Sequence, residues 1–159
     1  MILRSFRRSV DRFLDALDSE GVALFQIVVY AHMVLGGIYC LFIAKGVPQA
    51  VGQAMGPVIE SIWLWLFVGM GICLIGKYLS NRPDKTRFFV YSTGLWLQLA
   101  GDICAFGGFA GYVAGTVQMT WWGKAVVGVF GFAALAWCAL FLILRDTRRI
   151  AQAELDVRR

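Results

Sequence analysis

Charge is what this sequence has least of. Only 16% of its 159 residues are Asp, Glu, Lys or Arg, where a soluble domain carries about a quarter. A single histidine, His32, excludes a bis-histidine haem, and no His/Cys/Glu spacing suits a metal. The four cysteines, Cys40, Cys73, Cys104 and Cys138, fall one to each apolar stretch. That is neither a disulfide framework nor a zinc pattern, and they read as small apolar residues packed between helices. Equally missing are a phosphate-binding glycine loop, a nucleophile–His–acid set and a paired carboxylate cleft. The sequence therefore points away from an enzyme and implies no cofactor.

What fills the chain instead is apolar sequence, 59% of all residues. Four runs, 22–44, 58–79, 88–115 and 125–144, are each long enough to cross a bilayer. They leave no room for a separate soluble domain. The fold class expected is an all-α integral membrane protein, with four transmembrane helices in an antiparallel bundle. The first run is too long for a signal-peptide core, and no small-x-small site follows it. Three regions result: a segment at 1–20, the membrane domain at 21–145 and a basic tail at 146–159.

The few charges are distributed unevenly. Arg4, Arg7, Arg8 and Arg12 precede the first run, and Lys77, Arg82, Lys85 and Arg87 flank the second turn. Arg145, Arg148, Arg149, Arg158 and Arg159 follow the last run, and only Lys45 and Lys124 lie on the other side. Such asymmetry predicts both termini in the cytoplasm of a cell with an inner (plasma) membrane. The net charge of +5 is then explained by orientation and by anionic lipid headgroups, worth about 1 kcal/mol per basic residue; nucleic acid is not expected as a partner. Leu3, Phe6, Val10, Phe13, Leu14 and Leu17 recur at helical spacing between the N-terminal arginines. They predict an amphipathic helix lying on the membrane surface or on the bundle's own end. Trp63, Trp65, Trp121 and Trp122 mark the opposite interface.

Two polar positions stand out within the runs. Asp102 is central to the third and His32 to the first, and both runs lead outward, so the two residues have similar depth. A His32–Asp102 pair inside the bundle is the expectation, extended by Gln98 one turn from Asp102 and by Gln26, with Glu60 near the outer end of the second run. The pair reads as a polar staple, as the lining of a pore or proton path, or, least well supplied with ligands, as a metal or cofactor site. Gly107, Gly111 and Gly115 repeat every four residues, and Gly36, Cys40 and Ala44 do the same in the first run. Rows of small residues let helix backbones approach. With Gly69 and Cys73 in the second run the rows number three; they pack either within one bundle or between subunits, and three such rows favour a homo-oligomer.

Four spans, basic cytoplasmic flanks, short turns and glycine-rich helices resemble the small multi-span membrane proteins of actinobacteria and their phages, some of them holin-like. That resemblance implies an oligomer that alters the permeability or state of the inner membrane. Two other functions fit the sequence: a non-catalytic accessory or scaffold subunit, including a phage exclusion factor, that docks a membrane-protein partner, and a small proton-coupled carrier using Asp102. The absence of an inverted repeat counts against the carrier.

Overall fold

A computed structural model of the chain describes residues 20–47, 49–81, 88–120 and 126–157. The predicted amphipathic segment with Arg4, Arg7, Arg8 and Arg12 lies outside these residues, as do Trp121 and Trp122. Of the described residues, 96% are helical, none is in a strand, and four helices are long and apolar enough to cross a membrane. The physical reason is general: in hydrocarbon a backbone must satisfy its own hydrogen bonds, and one helix does so within a single segment. We number them α1 (Glu20–Ile38), α2 (Gln49–Ser80), α3 (Phe88–Thr120) and α4 (Val126–Val157).

α1 ends in a wider turn, Tyr39–Ile43, where Ala44 N–H donates to Tyr39 O at 2.9 Å. Lys45 then takes a positive φ of 51° and the chain reverses. The reversal is pinned by Glu60 of α2, whose Oε1 accepts the Val47 N–H at 2.9 Å. Glu60 thus serves as a cap for this turn. α2 bends at Gly56, where φ is 68° and ψ 161°, followed by Pro57. Only glycine adopts that conformation cheaply, and proline starts the next helical segment without needing an N–H partner. At the other end of the molecule α4 continues as helix through the basic tail to Val157.

α1 packs chiefly on α2, α2 on α3, and α3 on α4. The α2–α3 seam is the tightest. A Cβ on Gly76 would sit 2.6 Å from Gly94 O, and one on Gly69 would sit 2.8 Å from Cys104 Sγ. A Cβ on Gly101 would overlap the backbone of Cys73. Gly69 and Gly76 are seven residues apart, as are Gly94, Gly101 and Gly108, so each set forms one continuous strip on its helix. Where the seam ends, Trp63 donates its indole N–H to Gly108 O at 2.7 Å. Trp63, Phe67, Phe109, Tyr112 and Phe132 form a chain of ring contacts across α2, α3 and α4, the closest being Tyr112 on Phe132 at 4.1 Å. Met70, wholly buried, closes the aromatic half of the interior. Leu24, Phe25, Leu35, Phe42, Val127 and Phe130 point outward and are exposed, as a lipid-facing surface requires.

Candidate functional site

Below Met70 the interior turns polar. Asp102 of α3 has no exposed surface, and its Oδ1 accepts from two α1 side chains. Gln26 Nε2 lies 2.6 Å away and the Tyr30 hydroxyl 2.7 Å away. Gln26 and Tyr30 are four residues apart, one helical turn, so both project from the same face of α1. Cys73 of α2 adds its thiol, 3.5 Å from Oδ1, and receives a contact from Gln26 Nε2 at 3.3 Å. Every donor converges on Oδ1. Asp102 Oδ2 and Gln26 Oε1 are buried and have no hydrogen-bond partner.

A second group of charges adjoins the first. Lys77, one turn from Cys73, is 8% exposed and donates to Ala23 O of α1 at 3.3 Å. Arg145 and Asp146 of α4 are 3% and 0% exposed, and Arg145 Nε meets Asp146 Oδ1 at 2.7 Å. Asp102, Asp146, Lys77 and Arg145 lie within electrostatic reach of one another. Two carboxylates and two cations from α2, α3 and α4 therefore share one buried region, against the Gln26 and Tyr30 side chains of α1. Gln98, one turn before Asp102, extends it sideways by donating to Ser80 Oγ at 2.9 Å; Ser80 in turn donates to Lys77 O at 3.2 Å.

A charged residue at mid-span costs about 2.5–3.5 kcal/mol on insertion scales. A hydrogen bond between membrane helices returns about 0.6 kcal/mol on average. A bundle that needed only cohesion would do better with the glycine seam alone.

The predicted His32–Asp102 pair does not form. His32 is exposed and its Nδ1 lies 2.8 Å from Val28 O, its own helix one turn back. The reason is azimuthal: His32 is two residues beyond Tyr30, about 200° around the helix from the face that meets Asp102. Gln26 and Gln98 do join the cluster, Gln26 directly and Gln98 through Ser80. Glu60 sits apart, on the turn after α1. Tyr30, Cys73, Lys77, Arg145 and Asp146 belong to the cluster and were not anticipated as site residues.

The two glycine rows differ in what they meet. Gly107 and Gly111 face α2 of the same chain, where an added Cβ would meet Leu66 at 3.3 Å and Trp63 at 3.0 Å; Gly115 is buried as well. This row is filled within one bundle. Gly36 on α1 is different: nothing lies within 4 Å of an added Cβ there, and Cys40 one turn on is half-buried. All four cysteines are free. Among the described residues no group of three or more His, Cys, Asp or Glu could hold a metal ion.

Fold and site together define a multi-pass helical membrane protein with a charged core. Compared with family models, with curated proteins and with solved structures, the chain matches none.

Proposed function

We propose that this is a small proton-coupled carrier of the inner membrane, an antiparallel four-helix bundle with both termini cytoplasmic and Asp102 as its proton-binding group. The observation that carries the reading is Asp102 itself: fully buried, with three donors on Oδ1 and an unpartnered Oδ2 on which a proton can reside. Ionisable residues inside membrane bundles are characteristic of proton and ion pathways. Asp146, whose Oδ2 also lacks a partner, provides a second acceptor within electrostatic reach. The basic helix ends support a cytoplasmic entrance, and the aromatic layer with Met70 closes the other side. A carrier must open and close these in turn. α1 is the natural moving part, because it leans mainly on α2 and holds Asp102 through Gln26 and Tyr30.

The test is proton flux into liposomes reconstituted with the protein, under an imposed potential and read by an internal pH dye. Asp102→Asn keeps the shape and an acceptor at Oδ1 but removes the titrating group. Flux at least about tenfold below wild type is expected, corresponding to about 1.4 kcal/mol in the barrier; unaltered flux sinks the carrier reading.

One observation favours a second reading, a self-associating holin-like protein that permeabilises the membrane. Gly36 leaves α1 open at a small residue, where a second copy of the chain could approach, while Cys40 one turn on packs against the chain's own core. This is the function that the resemblance implies, with the contact moved from α3 to α1.

A further inference from the structure

At the end of the bundle where α4 continues into its basic tail, a cavity of about 300 Å³ lies between three helices. Ser80 and Asn81 at the end of α2, Tyr91 and Leu95 of α3, and Arg149 of α4 line it. Unlike the grooves along the bundle's sides, its wall is mostly polar, so heteroatoms open onto it. Arg149 carries the only charge on that wall, and no Asp or Glu is among the described residues lining it. Ser80 Oγ is already committed, donating to Lys77 O at 3.2 Å and accepting from Gln98 Nε2 at 2.9 Å. The Asn81 carboxamide and the Tyr91 hydroxyl have no hydrogen bond to another described residue. Arg149 has another interaction within the chain, and its five N–H groups can serve more than one partner. The carbonyl end of α2 and the N–H end of α3 both border the cavity and offset each other, which leaves the guanidinium to set the sign.

We infer that this cavity binds a phosphate group, presented by a lipid headgroup or as the free ion. Asn81, Tyr91 and Arg149 bring donors to it from the ends of three different helices. A phosphate offers several terminal oxygens to such a set, and a guanidinium meets its charge with the stronger class of hydrogen bond. A cation would face Arg149 as a like charge, and a neutral head would use the donors but not the charge. The volume is at the lower end of the range for small-ligand sites, about 300–1,000 Å³, and suits a headgroup better than a whole lipid. Tyr78, exposed near the same end of α2, is a residue type found at headgroup depth, so a lipid can present its phosphate here. The site is independent of whether Asp102 exchanges protons.

The experiment uses the whole protein in maltoside micelles. Native mass spectrometry compares dioctanoyl phosphatidic acid with dioctanoylglycerol, which has the same chains and no phosphate. Equilibrium dialysis against radiolabelled inorganic phosphate, up to about 1 mM, tests the free ion. Phosphatidic acid bound at least about tenfold tighter than the diacylglycerol assigns the lipid source, and retained inorganic phosphate assigns the soluble one. In either arm Arg149→Gln weakens binding at least about tenfold, while Arg158→Gln, which removes the same charge from the tail, changes it less than about twofold. Tyr91→Phe and Asn81→Ala alter no charge and each weaken binding about fivefold. They keep the test standing should the arginine variant fail to fold. Equal binding of the two lipids, with no inorganic phosphate retained, overturns the proposal. So does equal loss in Arg149→Gln and Arg158→Gln, or binding that all three cavity variants leave unchanged, since either is charge attraction alone. Proton flux plays no part in this readout, so the carrier reading stands or falls separately.

Discussion

Tyr30 and His32 are two residues apart and live in different solvents. Tyr30 is 3% exposed with its hydroxyl on Asp102, while His32 faces outward and folds its ring back onto Val28 O. Tyr30→Phe removes one interhelical hydrogen bond and keeps the ring. It should destabilise the bundle by about 0.6–1.7 kcal/mol in a denaturant titration in bicelles. His32→Ala should stay within about 0.5 kcal/mol of wild type. The reverse ranking would mean that α1 is rotated about its axis relative to this structure. How much was legible in the sequence divides at this scale. Asp102 and Gln26 are conspicuous, because a carboxylate or amide in an apolar run needs a reason. Tyr30 is not, because an aromatic ring counts as apolar until its hydroxyl is seen to have a partner. Lys77 and Arg145 sit where basic flanks are expected, and charge asymmetry explains them sufficiently as flanks; only tertiary structure turns them inward, together with Asp146 beside Arg145.

Elements were easier to read than their faces. Uninterrupted apolar runs give the number and type of the long helices directly, since no other local structure survives in hydrocarbon. The faces required a choice between two glycine periods. The four-residue repeat at Gly107, Gly111 and Gly115 is the more visible, but the seven-residue repeat at Gly94, Gly101 and Gly108 marks the closest approach. The two repeats share one helix and both meet α2, the second so closely that no Cβ fits at Gly101. Gly101→Ala should therefore cost about 1–3 kcal/mol through overpacking. Gly131→Ala on α4, where nothing lies within 4 Å, should be neutral or stabilising, because alanine is the better helix former. Matched melting curves of the two variants decide this, and equal costs would displace the α2–α3 seam from its central role.

At the scale of the whole molecule, the question is whether one chain is a finished object. The interior of the bundle is accounted for: aromatic rings in one half, balanced charges in the other, glycine contact between α2 and α3. The α1 exterior is not, and Gly36 is the place to probe it. If copies associate through α1, Gly36→Leu abolishes self-association in a cross-linking assay and any entry of a membrane-impermeant dye into cells, while leaving the folded monomer intact. Gly111→Leu is the less informative choice, because a Cβ there already presses on Trp63 at 3.0 Å and the substitution damages the monomer first. Dye entry that persists undiminished in Gly36→Leu would remove the α1 interface.

The free cysteines have one more use. Each helical segment carries one, in graded surroundings: Cys138 exposed, Cys40 and Cys104 intermediate, Cys73 buried against Gln26 and Asp102. The wild-type chain is thus its own set of four chemical clocks. With a membrane-permeant maleimide, Cys73 of the folded chain reacts only when α1 lifts away from the cluster and water reaches the thiol, and the same thiol in the denatured chain gives the unprotected rate. The ratio of those two rates reads the opening equilibrium of the site, without a tag or a single engineered residue.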